Sequence, residues 1–370
     1  MMKLGIIGWR GMVGSVLLDR LNECGDLDIF NTTLFSTSQT GRGPLGELKS
    51  SFDYDALASM DIIISCQGSE YTKEVHPLLR GKGWNGHWID ASSHLRTMKD
   101  VPIILDPINR KDIDAALKNN QKDFVGGNCT VSLMMLALGG LFSRDLVEWV
   151  SCVTYQAASG AGSAQLRELF SQIAHLKEMD LSGDILKLEK EVTGALSHSS
   201  FPIESLQHPL VGNLLPWIDS EVEDGMSKEE WKGAFETAKI LGKYIPVESL
   251  CVRVGAFRCH SQALTIKLKE DLPLDEFENL INSHNEWARV IPNNKADTLK
   301  HLTPVAVSGT LSIPVGRVRK LSFGPGHYSL FTVGDQLLWG AAEPLRRMAR
   351  IILDFKNQGL RRDYELSRSP

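Results

Sequence analysis

The first third of the chain alternates short apolar runs with segments of helical periodicity. Leu4–Ile7 predicts a strand, and the apolar spacing from Val13 to Leu21 predicts a helix that ends near Gly25. More predicted elements follow, with strands at Thr33–Phe35, Ile62–Cys66, His87–Asp90 and Ile103–Leu105 and a helix at Tyr71–Leu79. This alternation favours an α/β fold with a parallel sheet and right-handed crossovers.

The pattern changes after residue 129. Long β-type runs now stand between long helical stretches, the runs at Val147–Tyr155, Cys251–Ala256, Ala263–Leu268 and Val315–Phe323 and the helices at Gln165–Met179 and Lys228–Leu241. They predict a second, mixed α+β domain with a larger sheet. A last helix, Leu337–Phe355, carries three arginines and is expected to pack back against the first domain. Arg361–Pro370 is predicted to be a polar, mobile tail.

Composition excludes several classes of function. The 370 residues suggest two domains, and a net charge of −5 gives no electrostatic case for nucleic-acid binding. We expect no membrane span, because no apolar run reaches the roughly 18 residues that a span needs. The six cysteines are too sparse for a disulfide scaffold and lack C-x-x-C zinc spacing, so we expect no metal site and a reducing, cytoplasmic location.

A glycine-rich turn joins the first predicted strand to the first predicted helix. Its sequence, Gly8-Trp9-Arg10-Gly11-Met12-Val13-Gly14, has G-x-x-G-x-x-G spacing rather than the usual G-x-G-x-x-G. Glycines here allow a tight turn and let the backbone approach a pyrophosphate over the helix N-terminus. An ordinary βα turn is the alternative, but the position at the start of a βαβ pattern favours a dinucleotide.

The end of the second predicted strand indicates which dinucleotide. NAD-binding proteins place an acidic residue there for the ribose hydroxyls, whereas this chain has Phe35-Ser36-Thr37-Ser38-Gln39. Hydroxyl groups, with Arg10 and Arg42 within reach, suit a 2′-phosphate. We therefore predict NADP in preference to NAD.

One cysteine stands between a glycine turn and a long apolar run. Cys129 follows Gly126-Gly127-Asn128, and Phe124-Val125 predict the end of a strand before the turn. A thiol at a helix N-terminus lies beside unpaired N–H groups and the positive end of the helix dipole, and both favour the thiolate. An inert buried thiol is the alternative, because cysteine is among the residues most often buried.

Partners for a nucleophilic cysteine occur farther along the chain. Strand alternation places Arg253 on the face opposite its apolar neighbours, and His260 is expected at the end of that strand or in its turn. Gln156–Ser163 ends another strand with small residues that let backbone N–H groups approach a ligand. Glu229 begins a helix after Ser227, where N-capping alone accounts for the acid.

Taken together, these motifs resemble the aspartate-β-semialdehyde dehydrogenases of enteric Gram-negative bacteria. The similarity covers nearly the whole chain in the family's order, through Ile6–Ser15, Gly126–Leu133, Tyr155–Gly160, Glu229–Gly233, Arg253–Gln262 and Phe331–Pro344. Lys177–Leu186 departs from the family pattern, and no cofactor contact is carried over there. The resemblance implies a Rossmann-like NADP-binding domain of residues 1–128 plus about 336–360, a catalytic and dimerisation domain of residues 129–335, and a homodimer.

The resemblance also implies residue roles. Cys129 matches the nucleophile and His260 the general acid/base, while Gln156 and Arg253 match residues that orient the substrate, Arg253 by pairing with its α-carboxylate. Glu229 matches the residue that binds the α-amino group. Phosphate-binding positions match Arg96 and Lys232, and NADP-binding positions match Arg10, Gly11, Met12, Val13, Thr37, Ser38, Gln67, Ser159, Gly160, Ala161, Gly162, Ser163 and Gln336. Asn128 and nearby backbone N–H groups are our own candidates for stabilising an oxyanion.

The implied reaction is the reversible, NADPH-dependent reduction of L-aspartyl 4-phosphate to L-aspartate 4-semialdehyde and phosphate, in the biosynthesis of lysine through diaminopimelate and of methionine, threonine and isoleucine. A thiolate captures the acyl group as a thioester, which accepts hydride more readily than an ester does. The nearest alternative is an N-acetyl-γ-glutamyl-phosphate reductase. Arg253 and Glu229 together argue for a free α-amino acid instead, because an acetylated amine carries no charge. A non-catalytic NADP-binding regulator is the alternative from another class.

Overall fold

The computed structural model describes residues 1–177, 179 and 182–366, with side chains described as far as residue 359. The strands are β1 Met2–Ile7, β2 Phe30–Ser36, β3 Gly41–Gly43, β4 Gly46–Ser50, β5 Ile62–Ser65, β6 His87–Asp90, β7 Ile103–Ile104, β8 Asp123–Gly126, β9 Val147–Gln156, β10 Leu214–Leu215, β11 Val247–Val254, β12 His260–Leu268, β13 Ala288–Val290, β14 Ile313–Lys320 and β15 His327–Gly334. The helices are α1 Met12–Glu23, α2 Tyr54–Ala58, α3 Ser69–Gly81, α4 Asp106–Lys118, α5 Cys129–Ser143, α6 Ser163–Lys177, α7 Ile185–Leu196, α8 Lys228–Leu241, α9 Leu274–His284, α10 Lys295–His301, α11 Pro304–Val307 and α12 Glu343–Leu366. In the part of the chain so described, no helix combines the length and apolarity needed to cross a membrane.

The first sheet contains eight strands in the order β3-β4-β2-β1-β5-β6-β8-β7. All its pairings are parallel except the β3–β4 hairpin. Residues such as Ile6 and Ile64 are fully buried in the central strands, because helices cover both faces of the sheet. The carboxyl ends of β1, β5, β6 and β8 therefore lie along one edge, where ligands bind in such sheets.

The second sheet is mixed, in the order β10-β11-β9-β12-β15-β14-β13. The β9–β11 and β13–β14 pairs are parallel and the other pairs antiparallel. Helix α5 joins the two sheets in sequence and is buried on nearly every side, as expected for a helix that is apolar all around. This two-domain α/β architecture is the predicted one.

Helix α12 returns to the first domain, which confirms the predicted packing of the last helix. Arg346 pairs with Asp26 at 2.6 Å, and Arg347 pairs with Asp106 at 2.6 Å. The predicted helix is, however, not a single α-helix. Its first turn, Leu338–Ala342, is π-helical, and the α-helix begins at Glu343 and continues to Leu366, into the segment predicted as a tail. Residues 367–370 of the predicted tail lie outside the described part, as do Glu178, Asp180 and Leu181 in the segment that departs from the family pattern.

Two further predictions need correction. His260 does not end the Arg253 strand or lie in its turn; it is the first residue of the next strand, β12. Strand β15, which pairs with both β12 and β14 in the second sheet, is not among the predicted elements. Burial alternates along β15, and Tyr328, Phe331, Thr332 and Val333 are residue types that favour strands, so a local signal is present.

Candidate functional site

The predicted nucleophile lies at the start of α5, immediately after β8. Asn128 caps the helix: its Oδ1 accepts the N–H of Thr130 at 3.0 Å and of Val131 at 3.3 Å. Gly340, in the π-helical turn, lies directly against Cys129. A Cβ added to Gly340 would lie only 2.6 Å from Cys129 Cβ, so a larger residue does not fit there. A local sequence pattern thus fixes the helix start, and a distant segment of chain closes over it.

Cys129 opens onto a cavity of about 640 Å³ between the two domains. The predicted site residues that line it are Gly11, Met12, Val13, Arg96, Asn128, Cys129, Gln156, Ser159, Gly160, Ala161, Gly162, Ser163, Glu229, Lys232, Arg253 and Gln336. Arg10, Thr37, Ser38, Gln67 and His260 are not part of this lining. The cavity therefore unites segments that are as far apart in sequence as the glycine turn and Gln336.

A buried carboxylate organises one wall of the cavity. Glu229 Oε1 accepts hydrogen bonds from Asn128 Nδ2 at 3.0 Å and from Gln156 Nε2 at 3.2 Å. Lys232 Nζ pairs with Glu229 Oε2 at 2.9 Å and with Asp219 Oδ2 at 2.8 Å. Burial opposes ionisation of Glu229, but the Lys232 charge and these hydrogen bonds outweigh it and lower its pKa. Burial likewise opposes the charge on Lys232, and the two carboxylates outweigh it and raise the Lys232 pKa.

Arg96 contacts the nucleophile turn, the backbone from Gly126 to Asn128 that precedes Cys129. Its Nε donates to the Gly126 carbonyl at 2.8 Å, and its Nη1 pairs with Glu236 at 3.1 Å. The second Glu236 oxygen accepts the backbone N–H of Asn128 at 2.6 Å. Arg96 is thereby attached to the turn that precedes Cys129.

Arg253 differs from Arg96 and Lys232 because its partner is a backbone carbonyl and not a carboxylate. Its Nη1 donates to the Ala157 carbonyl at 2.8 Å, and within the described residues it pairs with no carboxylate. Burial lowers its pKa. A planar guanidinium held in this way can receive a ligand carboxylate through two parallel hydrogen bonds.

His260 lies behind the cavity wall and is fully buried. Its Nδ1 accepts the N–H of Ala157 at 3.1 Å, so the neutral ring carries its proton on Nε2, which is buried with no hydrogen-bond partner. Burial, together with the nearby Arg253 charge, lowers the His260 pKa to about 3. Gly160 separates this ring from the cavity, since a Cβ there would lie 2.8 Å from Nε2.

The electrostatic setting of Cys129 is not the one that its helix position predicts. Burial, together with the Glu229 carboxylate, raises the pKa of the thiol to about 12. Arg96, Arg253 and Lys232 act in the opposite direction but do not outweigh these effects. The expectation of a favoured thiolate is therefore wrong for the unliganded site, because the loss of water around the sulfur and the Glu229 carboxylate together outweigh the three nearby cations.

Most backbone N–H groups at the start of α5, which we expected to stabilise an oxyanion, already donate hydrogen bonds within the protein. The N–H groups of Asn128, Thr130 and Val131 already donate to Glu236 and to the Asn128 side chain. Of the donors described at this turn, the N–H of Cys129 and one amide hydrogen of Asn128 are still available for a ligand oxygen.

The glycine turn at the other end of the cavity fits a dinucleotide. A Cβ on Gly8 would lie 2.7 Å from the Cys66 carbonyl carbon, and one on Gly14 would lie 2.2 Å from the Gly8 oxygen. Gly8 also has φ +77°, a conformation that favours glycine. These approaches leave the amino terminus of α1 open at the sheet edge, which is the geometry that accommodates a pyrophosphate.

Polar side chains that follow β1, β2 and β5 contact one another beside this turn. Arg10 Nη2 donates to Ser38 Oγ at 2.7 Å, and Gln67 Nε2 donates to Thr37 Oγ1 at 3.5 Å. At the inner end, Gln336 hydrogen-bonds Ser159 and accepts the Cys259 N–H at 2.7 Å. The predicted cofactor residues therefore form two groups, one at each end of the glycine turn.

Sequence reasoning misses several residues of the site. Asp219 and Ile218 line the cavity from a loop without regular structure, and Glu236 lies beneath it. Glu236 follows Glu229 by seven residues, two helical turns, so the spacing on α8 could have identified it. No comparable local pattern marks Asp219.

Comparisons with known proteins identify the family. Residues 3–116 match the family model "Semialdehyde dehydrogenase, NAD binding domain", and residues 138–339 match "Semialdehyde dehydrogenase, dimerisation domain". Among solved structures, aspartate semialdehyde dehydrogenase from Francisella tularensis is 52% identical, with a TM-score of 0.93 over 95% of this chain and 100% of that one.

More distant structures show the same fold. Aspartate semialdehyde dehydrogenase II from Vibrio cholerae, complexed with ASA, is 23% identical, with a TM-score of 0.76 over 96% of this chain and 98% of that one. The Candida albicans aspartate semialdehyde dehydrogenase with NADP is 16% identical, with a TM-score of 0.66 over 96% of this chain and 99% of that one. The two family models and the 52% identity over nearly the whole length establish that this chain belongs to the aspartate semialdehyde dehydrogenase family of oxidoreductases.

Proposed function

We propose that this enzyme interconverts L-aspartyl 4-phosphate and L-aspartate 4-semialdehyde with NADP(H) and phosphate, through a thioester on Cys129. The observation that carries the proposal is one cavity that contains a thiol, a paired Glu229–Lys232 wall and a guanidinium without a carboxylate partner. An α-amino acid with a phosphorylated side chain presents complementary charges. The family's biosynthetic role in forming lysine, methionine, threonine and isoleucine is part of the same proposal.

Substrate binding follows from these charges. Arg253 receives the α-carboxylate in a bidentate pair, and Glu229 receives the α-ammonium group. Arg96 and Lys232 bind the phosphate. Gln156 is held by Glu229 at 3.2 Å and orients the acyl group. An N-acetylated substrate carries no ammonium group for Glu229 to bind, which argues against the N-acetyl-γ-glutamyl-phosphate alternative.

Acyl transfer needs no separate base, because the departing phosphate takes up the thiol proton. The Cys129 sulfur forms a bond to the acyl carbon while the C–O bond to phosphate breaks, and the thiol proton leaves with the phosphate as hydrogen phosphate. This route suits a thiol whose pKa is about 12 before substrate binds. The N–H of Cys129 and the free amide hydrogen of Asn128 stabilise the oxyanion.

When bound, NADPH supplies the hydride that reduces the thioester. His260 Nε2–H then hydrogen-bonds the thiohemiacetal oxyanion. The C–S bond breaks as this oxyanion becomes the aldehyde carbonyl, and the departing thiolate takes a proton from solvent water. Because Nδ1 accepts the Ala157 N–H, the proton of the neutral ring lies on Nε2, and we assign His260 the donating part of the acid/base role that the resemblance implies. A shift of the Gly160 turn brings the buried Nε2 to the substrate.

Cofactor binding is proposed for the residues of the glycine turn, for Thr37, Ser38 and Gln67, and for the 159–163 loop with Gln336. The Arg10–Ser38 pair and the absence of an acid after β2 support NADP over NAD. Residues 1–128 with about 336–360 form the NADP-binding domain in this proposal, and residues 129–335 the catalytic and dimerisation domain. The partly exposed face of the second sheet, which includes Tyr155 and Leu250, is proposed as the homodimer contact of a cytoplasmic enzyme.

The decisive assay follows cofactor reduction in the oxidative direction. Purified enzyme is given L-aspartate semialdehyde, phosphate and either NADP or NAD, and the absorbance of the reduced cofactor is recorded. We expect phosphate-dependent reduction with a higher kcat/KM for NADP. Absence of phosphate-dependent reduction would refute the reaction and restore the regulator hypothesis. Preference for N-acetyl-γ-glutamyl semialdehyde would change the substrate, and preference for NAD would refute only the choice of cofactor.

A further inference from the structure

Glu236 joins two parts of the site that no sequence motif connects. Its side chain is 2% exposed and lies on α8, two turns after Glu229. One carboxylate oxygen pairs with Arg96 Nη1 at 3.1 Å, and the other accepts the backbone N–H of Asn128 at 2.6 Å. A single buried carboxylate thus holds both a cavity cation and the residue that precedes Cys129.

Arg96 is attached to the same turn a second time. Its Nε donates to the Gly126 carbonyl at 2.8 Å, while its side chain remains 12% exposed at the cavity. The guanidinium, the carboxylate and the backbone from Gly126 to Asn128 therefore form a closed ring of contacts. Within a ring of short, charge-assisted bonds, a displacement of Arg96 displaces the turn as well.

A neighbouring glutamate shows what a purely structural carboxylate looks like on this helix. Glu230 is also buried on α8, and its two oxygens accept the N–H groups of Ser227 at 2.8 Å and Cys251 at 3.1 Å. It contacts no cavity cation among the described residues. The two carboxylates have similar burial and donor counts, and they differ in that only Glu236 contacts Arg96.

We propose that Glu236 is a positioning residue that couples occupation of the phosphate site at Arg96 to the placement of Cys129. The inference rests on the proposed function, because it takes Arg96 as a phosphate ligand and Cys129 as the nucleophile. Phosphate drawn to the guanidinium pulls on the Arg96–Glu236–Asn128 connection and adjusts the turn that carries the thiol. When phosphate leaves, the turn returns to its unliganded position.

A double-mutant cycle tests the connection. Glu236→Gln replaces a double acceptor with an amide that can accept from only one of its two donors, so Arg96 or the turn loses its restraint. We expect the KM for phosphate in the oxidative assay to rise by about 10- to 100-fold, with an unchanged KM for NADP. In an Arg96→Ala background, the same change should alter the KM for phosphate by less than about twofold, because the two residues act as a unit.

Two results would overturn the coupling. One is a wild-type or lowered KM for phosphate in Glu236→Gln; the other is an undiminished effect of Glu236→Gln in the Arg96→Ala background. Glu230→Gln is the matched control and should lower the thermal unfolding temperature while leaving the KM for phosphate unchanged. If Glu236→Gln fails to fold, Glu236→Asp keeps the charge but is too short to reach both donors, and it should raise the same KM.

Alkylation provides a readout that does not need turnover. The rate at which iodoacetamide modifies Cys129 is measured with and without inorganic phosphate. We expect phosphate to change this rate in the wild type and in Glu230→Gln but not in Glu236→Gln, and an equal response in all three enzymes would refute the coupling. Failure of the proposed function is distinguishable, because a wild-type enzyme without phosphate-dependent activity would refute the reaction itself.

Discussion

Replacing Gly160 by alanine places a methyl group against two side chains, His260 behind the cavity wall and Arg253 in the cavity lining. The new Cβ would lie 2.7 Å from His260 Cε1, 2.8 Å from His260 Nε2 and 3.0 Å from Arg253 Nη1. Optimal carbon contacts lie at about 3.5–4.0 Å, so the ring or the turn must move by roughly 1 Å. His260 packs in a fully buried position, and the exposed turn that carries Gly160 has more freedom to move.

The expected cost divides between stability and activity. Overpacking of this kind costs about 1–3 kcal/mol of folding free energy. A misplacement of about 1 Å at a reacting centre can reduce the rate by about 100-fold, which corresponds to about 2.7 kcal/mol of activation free energy. We therefore expect kcat to fall by about two orders of magnitude while the KM for NADP changes less.

The assay is steady-state phosphate-dependent reduction of NADP, together with thermal unfolding of each variant. Gly255→Ala is the matched control, because its Cβ would meet its nearest neighbour, the Leu210 carbonyl oxygen, at an ordinary 3.5 Å. It lies two residues beyond Arg253 and should retain wild-type kcat. Wild-type kcat in Gly160→Ala would show that neither His260 nor Arg253 is positioned by this contact, and the reasoning would fail.

Three further predictions concern the thiol and its surroundings. Cys129→Ser should lower kcat by orders of magnitude while NADP affinity, measured by fluorescence titration, stays near that of the wild type; near-normal turnover would contradict a thioester mechanism. Arg253→Lys keeps the charge but loses the planar fork, so kcat/KM for the semialdehyde should fall at least about 30-fold, or about 2 kcal/mol, and an unchanged value would exclude bidentate recognition. Because burial and Glu229 raise the Cys129 pKa to about 12, its alkylation rate should keep increasing with pH beyond the ordinary thiol range, and Glu229→Gln should move the profile to lower pH. A plateau near about pH 9 in the wild type, with Cys129→Ser as the blank, would contradict that pKa.

The fold was largely predictable because its signals are local. The period-2 runs at β9 and β11, and the helical spacing of α1 and α8, depend on residues a few positions apart. The same holds for Asn128, whose type and position before an apolar run identify a helix cap. The residues of β15 carry the same kind of local signal, since Tyr328, Phe331, Thr332 and Val333 favour strands.

The individual polar contacts of the site were much less predictable. The Arg96–Glu236 pair joins residues 140 positions apart, and the Asn128–Glu236 hydrogen bond spans 108 positions. No periodicity extends over such separations, so these partners become visible only when α8 packs beside the nucleophile turn. Asp219, which lies in a loop and pairs with Lys232, follows the same rule.

The sequence by itself determined the order of the elements, the glycine turn and the start of α5 at Cys129, since each is set by bonding and sterics between near neighbours. Tertiary structure alone decided the protonation of the site. Burial holds the Cys129 pKa at about 12 and the His260 pKa at about 3. The packing of the chain also places His260 behind Gly160. Desolvation depends on everything that packs around a group, and only the folded chain brings those groups together.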